Sequence, residues 1–402
     1  MLHQAAQAVR SVGPDVPVVA GGPYASSDPF TLLSDRNIDV AVIGEGEETL
    51  LDLARCIQEE GPAWKSHLAT IPGTVSRSED GLVHHSPPRP PITDLDSLPK
   101  PAWDTIDVRW FWTHRSLSTA GVRPYMPIFT SRGCPYACTY CHNIFGRSFR
   151  ARSPESVLEE LVELQRTFGV NDFEFLDDII NLDKRRFIAI LAGLLERNMH
   201  PKLHFPNGVR TDRLNEEEIR LVHQVGAGEV SVAVETASTR LQKQINKNLD
   251  LDKVWRNIEL MAKLRVFTRG FFMLGYPTET EEEMQATIEY AAKSRLHLAE
   301  FFVINPFPGT AIFDEFKALG KLPENVNSID YEYVGAPFNG SEIPDARFRN
   351  LFRQAYTSFY FRPGRIARIL RDRPYASGYT DGLYSLLAKF SGFRRIREVL
   401  RS

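Results

Sequence analysis

Between residues 125 and 305 the chain repeats one pattern: six short apolar runs separated by five longer stretches with apolar residues at helical spacing. The runs are Met126–Thr130, Phe173–Leu176, Leu203–Phe205, Val230–Val234, Gly270–Leu274 and Phe301–Ile304. The stretches are Ser156–Thr167, Arg185–Arg197, Glu216–Val225, Asp252–Leu264 and Glu281–Ser294, several with acidic residues in the first turn, as the helix dipole favours. Strands that alternate with helices build a parallel sheet, and six such units in series fit a partial (β/α)6-type barrel of the α/β class. A length of 402 residues leaves room for one or two further domains. With 43% hydrophobic and 25% charged residues, the chain is neither disordered, collagen-like nor a small disulfide scaffold.

The flanks differ from this rhythm. Residues 1–85 read as part of a Rossmann-like unit. Residues 1–12 are helical, Val16–Ala20 is a buried-type strand ending in Gly21-Gly22, and a helical stretch covers Phe30–Ser34. Asp39–Ile43 is a second strand, and Glu47–Glu59 a further helix. Two strands are few for such a domain, so the chain is expected to begin partway through one. Thr74–Arg77 and Leu82–His85 flank Glu79-Asp80-Gly81 and predict a hairpin. Residues 86–119 are a Pro-rich linker, residues 120–330 the barrel, and residues 331–402 a small helical region. From 341 onward that region holds thirteen Lys and Arg against five Asp and Glu, which read first as ordinary solvated helix faces, with peripheral contact to an anionic membrane surface as the alternative.

Four cysteines are present: Cys56, Cys134, Cys138 and Cys141. The last three lie within Gly133-Cys134-Pro135-Tyr136-Ala137-Cys138-Thr139-Tyr140-Cys141-His142, directly after the first barrel run. Their C-x3-C-x2-C spacing is poor for a disulfide framework and suits a thiolate metal site. Zinc normally takes four closed ligands. His142 offers a fourth but follows Cys141 directly, and Cys56 reads as a small buried hydrophobe. A three-thiolate iron–sulfur cubane, which leaves one iron open, is the other reading.

This string, with an aromatic residue before the last cysteine and its place after the first barrel strand, resembles the signature of the radical S-adenosylmethionine (SAM) superfamily. The resemblance extends to Phe173–Asp178, Asn207–Asp212, Val232–Thr236, Phe272–Thr280 and Pro306–Thr310, each at a predicted strand end. It implies that Cys134, Cys138 and Cys141 hold a [4Fe-4S] cluster and that SAM chelates the open iron. Glu235 would hold the ribose or amino group of SAM, and Arg210 its carboxylate. Asp177 and Asp178 would hold the amino group or the substrate. Tyr140 would pack over the cluster or adenine, and Gly275 with Pro277 would shape the strand exit near the adenine. Each has a plainer reading: Glu235 as a capped strand end, Arg210 in a surface ion pair, the aspartates as helix caps.

Val18–Tyr24 and Val42–Glu48 resemble the second half of a cobalamin-binding domain, and Leu95–Ala102 resembles the connection to the barrel in the cobalamin-binding radical SAM subfamily. Gly21 and Gly22 would let the backbone approach the cofactor's nucleotide tail. The chain departs from that pattern by its missing strands and by lacking a D-x-H-x-x-G motif among its ten His residues.

The resemblance implies cleavage of SAM to a 5′-deoxyadenosyl radical, with methyl transfer to carbon if cobalamin binds. The alternatives are cobalamin-independent oxidative cyclisation or rearrangement, and a non-catalytic cluster- or zinc-holding scaffold. With only Cys56 left over, a second cluster of the methylthiotransferase kind is excluded. The expected partners are a small-molecule or lipid-like substrate and an external one-electron donor. A net charge of −3 argues against nucleic acid. No apolar run approaches the ~20 residues of a membrane span and no secretory pattern opens the chain, so a cytoplasmic protein is expected.

Overall fold

The computed structural model describes residues 2–78, 80–114, 116–119, 123–142, 144–322 and 339–375. The helical patterns expected beyond residue 375 lie outside the described residues.

Two apolar runs form the parallel pair β1 (Val19–Ala20) and β2 (Val40–Val42). β1 is shorter than the sequence suggests for a local reason. Pro17 has no amide hydrogen, and the amide of Val18 donates to the Asp39 carboxylate at 2.8 Å instead of to a ladder. The expected hairpin follows as β3 (Thr74–Arg77) and β4 (Val83–His85), antiparallel to each other, with β3 antiparallel to β2. The four strands make one sheet in chain order. Its faces are covered by the helices Leu2–Val12, Pro29–Leu33 and Glu47–Glu60, with Leu32, Leu33, Val40 and Leu53 fully buried.

The barrel begins with β5 (Met126–Ile128), and the chain then makes a small antiparallel hairpin of β6 (Ser131–Arg132) with β7 (Arg150–Ala151). The remaining barrel strands are β8 (Asp172–Phe175), β9 (Lys202–Val209), β10 (Glu229–Glu235), β11 (Thr268–Leu274) and β12 (Leu298–Val303). They align in the order β12-β11-β10-β9-β8-β5 with every neighbouring pair parallel, so the sheet is an open partial barrel with β5 and β12 at its edges. Helices follow the strands at Pro154–Phe168, Lys184–Glu196, Glu216–Val225, Leu251–Lys263 and Glu281–Lys293. Their starts obey capping chemistry. Asn215 and Thr280 each form a capping box, with Glu218 and Glu283 as the reciprocal partners.

Alternation along each strand sends one set of side chains outward to the helices and the other into the barrel. Outward, Phe173, Phe205, Phe272 and Phe301 join Leu161, Phe187, Ile258 and Ile288 in the main core. Inward, the strand starts carry charge. Arg123 pairs with Asp172 at 2.8 Å and Glu174 at 2.9 Å, and Arg269 pairs with Glu229 at 3.2 Å. Thr119 donates its backbone amide to Glu229, so the linker closes this end of the barrel. Higher in the barrel Phe271 and Phe302 meet edge to face at 5.8 Å and are half-buried, as are Ala233 and Met273.

The helix Asp345–Tyr360 lies against β12 and the helix Glu281–Lys293. Its Phe348, Leu351, Ala355 and Phe359 are fully buried and belong to the main core. Among the described residues of this region, several arginines are engaged internally. Arg365 donates to the carbonyls of Ala292, Ser294 and Leu296, Arg368 to that of Leu296, Arg347 bonds Glu281, and Arg371 bonds Asp372. Among the described residues no helix is long and apolar enough to cross a membrane.

Candidate functional site

The cysteines sit on the loop that β6 and β7 pinch at its neck. Gly133 opens the loop at φ 83°, and a Cβ there would lie 2.3 Å from the carbonyl oxygen of Ser148, so the crossing requires glycine. The amide of Cys134 donates to the Gly146 carbonyl at 3.3 Å. The far side of the loop is docked on the turn after the helix Thr239–Gln244. The Thr139 amide donates to the Ile245 carbonyl at 3.1 Å, Asn246 donates to the Ala137 carbonyl at 3.0 Å, and the Cys138 Sγ lies 3.9 Å from the Asn246 carbonyl.

The thiols feel one another. Cys141 is exposed to solvent yet has enough protein around it that its thiol is pushed up to about 12, by desolvation first and then by Cys138 and Cys134. Burial also raises Cys134. Among the described residues no three Cys, His, Asp or Glu side chains converge closely enough to hold a single metal ion. Zinc normally takes four closed ligands, whereas three thiolates can each bind one iron of a cluster and leave the fourth iron open. His142 is engaged elsewhere, with its Nε2 2.7 Å from the Pro308 carbonyl and its ring on Phe307. Cys56 lies in the first sheet's core beside Trp64.

The strand ends bring Glu235 and Tyr140 together. Glu235 closes β10 at φ 66°, a left-handed conformation that costs a non-glycine residue of order 1–3 kcal/mol and that clusters at functional sites. Its carboxylate is buried, accepts from Lys247 Nζ at 2.8 Å and from the Tyr140 hydroxyl at 3.3 Å, and Lys247 also donates to the Tyr140 hydroxyl at 3.1 Å. Burial, then the Glu235 charge, holds the Tyr140 hydroxyl well above its ordinary value. Lys247 was not among the residues singled out from sequence. Its signal was the turn Asn246-Lys247-Asn248, in which both asparagines take positive φ, as asparagine tolerates, and so turn the lysine inward.

The other expected residues take different places. Asp177 is fully buried under the loop's root. Its Oδ1 accepts from the Thr130 amide and hydroxyl and from Ser131, and burial raises its pKa. Asp178 accepts from the Gly133 amide at 3.1 Å. Both therefore brace the loop. Arg210 pairs with Asp212 at 2.8 Å, donates to the Lys247 carbonyl at 2.9 Å, and lies over the Tyr136 ring at 4.0 Å. Its guanidinium ties the loop to the Lys247 turn. Gly275 leaves β11 at φ 89°, and its amide and that of Tyr276 donate to Glu279 at 2.6 and 3.1 Å. Glu279, also not singled out, is wholly buried, and burial pushes its carboxyl up to about 8. Gly21 and Gly22 follow β1. Gly22, at φ 93°, has no atom within 4 Å of where a Cβ would stand, and neither does Gly44 at φ 74° after β2.

The chain is similar to known proteins of one family. A profile of the Radical SAM superfamily matches residues 128–291. An uncharacterized methyltransferase of Pyrococcus horikoshii is 30% identical over 364 residues, 90% of this chain and 76% of the relative. Cytidylyl-2-hydroxyethylphosphonate methyltransferase of Streptomyces wedmorensis is 28% identical over 406 residues, 89% of this chain and 73% of the relative. Among solved structures, the radical SAM methyltransferase TsrM of Kitasatospora setae, determined with cobalamin and a [4Fe-4S] cluster, shares the fold with a TM-score of 0.70 at 18% identity over 100% of this chain and 86% of that one. OxsB, a cobalamin-dependent radical SAM enzyme, gives 0.58 at 21% identity, covering 75% of this chain but only 42% of that one. The cysteine loop, the open parallel barrel and these likenesses together place the chain in the radical SAM superfamily, as an enzyme of that superfamily.

Proposed function

We propose that this chain uses a [4Fe-4S] cluster and SAM to transfer a methyl group to a carbon of a small molecule, with cobalamin held by the first domain. The observation that carries the reading is the buried Tyr140–Glu235–Lys247 group against the cysteine loop. In this superfamily the cluster and SAM together supply one-electron cleavage of SAM to methionine and a 5′-deoxyadenosyl radical that takes hydrogen from substrate. Cys134, Cys138 and Cys141 would hold the cluster. Glu235 supplies an anion for the ammonium or ribose hydroxyls of SAM, and Lys247 a buried cation that suits its carboxylate. Arg210, to which the sequence assigns the same carboxylate, is paired with Asp212 as Lys247 is with Glu235, so both cations remain candidates for it. Gly275 and Tyr276, braced by Glu279, offer a fixed backbone edge at the end of β11. The half-buried Phe271, Phe302, Ala233 and Met273 leave an apolar lining inside the barrel from which water is readily excluded.

The first domain fits cobalamin in one respect. The loops after its two parallel strands are open glycine turns, and ligands of parallel α/β sheets bind at such strand exits. The relatives named methyltransferase support the reaction class.

The test is electron paramagnetic resonance of the anaerobically reconstituted, reduced chain with and without SAM. The expected result is a reduced [4Fe-4S] signal that changes on adding SAM. Glu235→Ala and Lys247→Met should keep the cluster signal and weaken SAM binding by about a hundredfold, the scale of a lost buried charge-assisted bond. A cluster indifferent to SAM rejects the enzymatic reading. Absorption titration with hydroxocobalamin tests the cobalamin half separately, and no binding at micromolar cofactor rejects it.

A further inference from the structure

The neck of the cysteine loop is held by a residue of the other domain. Glu45 follows the exit of β2 and is 9% exposed. Its Oε2 accepts from Arg132 Nη1 at 2.9 Å and from the Ile92 amide at 3.2 Å, and its Oε1 is ion-paired with Arg150. Arg132 and Arg150 are the register pair of the β6–β7 hairpin. They therefore stand directly opposite each other where the loop closes, with all three thiols between them in sequence and within nine residues of Arg132. Arg150 also donates to the carbonyls of Ile92 at 2.6 Å and Phe145 at 2.9 Å, and Arg132 bonds Glu47 and lies over the Phe145 ring at 5.4 Å.

Like charges directly opposite in an antiparallel pair repel, and a buried guanidinium without a partner is costly. Glu45 pairs with both at this neck, with Glu47 a second anion on Arg132, and Glu45 comes from the turn whose Gly44 amide donates to Ser26 at 3.0 Å, tying together the chain after β1 and β2. We propose that Glu45 is a positioning residue through which the first domain keeps the cysteine loop closed in the form that binds SAM. The proposal rests on the reading that this loop holds the cluster. It assigns the first domain a part in the iron–sulfur chemistry whether or not it binds a cofactor.

The test uses the full chain with Glu45→Gln, Glu45→Asp, Arg132→Met and, as control, Glu47→Gln, whose side chain is 42% exposed. Two quantities are read: alkylation of the three thiols by iodoacetamide in the cluster-free chain, and the SAM-induced change in the reduced cluster's paramagnetic spectrum. In Glu45→Gln alkylation is expected to be about tenfold faster and SAM binding about tenfold weaker, within the usual range of coupling between sites. Glu45→Asp should recover most of both by keeping the charge, and Glu47→Gln should stay near the parent. Parental alkylation and SAM titration in Glu45→Gln overturn the proposal. If that variant fails to fold, Arg132→Met removes the same bond from the loop's side, and parental values there overturn it equally. A parent spectrum that ignores SAM condemns the SAM-binding reading instead, and the alkylation rates still decide on Glu45.

Discussion

Glu279 shows how one buried side chain can fix backbone that a ligand must meet. Its carboxyl has no exposure, receives two amides from the β11 exit, and is pushed up to about 8 by burial. A carboxyl raised on folding contributes its stability fully below its unfolded value near 4.5, and that contribution is lost as pH climbs through the folded value near 8. Glu279→Gln retains an acceptor for the Gly275 and Tyr276 amides and cannot ionise. Relative to the parent, the variant should therefore gain stability progressively across that window, by up to about 5 kcal/mol at its upper end. Urea unfolding at a series of pH values measures the gap, and a gap that does not change with pH removes Glu279 from the account. Nearby Glu283 is a contrast of sign. Burial opposes its ionisation, but hydrogen bonds from Arg240, Ser238 and the Thr280 amide outweigh that and hold it down to about 2.

At the scale of elements, the cysteine loop is a long excursion closed by a two-residue strand pair, so its shape depends on a few contacts at the neck. Gly133 is the most constrained of them. Gly133→Ala would put a methyl group into the Ser148 carbonyl and force a residue with a side chain to φ 83°. The chain should still fold, because the main core lies between sheet and helices, but iron and sulfide bound after reconstitution should fall at least about tenfold, given strain of order 1–3 kcal/mol plus the clash. Parental iron content in a folded Gly133→Ala would mean that the loop closes another way. Six strands and five helices were legible because their apolar period is strong and their caps are conventional, as at Asn215 and Thr280. The hairpin β6–β7 was not, because two residues per strand carry no periodicity. The site divides in the same manner. Cysteines at a diagnostic spacing announce themselves, as does a glutamate at a strand end. Lys247 and Glu45 act through partners distant in sequence, 12 residues away at Glu235 and 87 at Arg132, and no local pattern encodes such pairs.

At the scale of the whole molecule, an open barrel has an apolar flank at its last strand that something must cover. Here the helix Asp345–Tyr360 does so, and its apolar face is continuous with the barrel core. Phe348 is the residue where this cover meets the site, since a Cβ on Gly275 would stand 3.2 Å from its ring. The ring thus packs under the same β11 exit that Glu279 braces from within. Phe348→Ala should cost about 3–5 kcal/mol of stability, as buried phenylalanine truncations do. It should also loosen Gly275 and Tyr276, so SAM binding should weaken even at temperatures where the variant is fully folded. Phe359, fully buried in the same helix and packed on Phe301, supplies the control. Phe359→Ala should lose comparable stability and leave SAM affinity near the parental value. Calorimetric unfolding and SAM titration of the two variants at low temperature separate the effects. Equal loss of affinity in both would mean that the helix supports the site only through global stability, whereas loss confined to Phe348→Ala would make the cover a working part of the β11 exit.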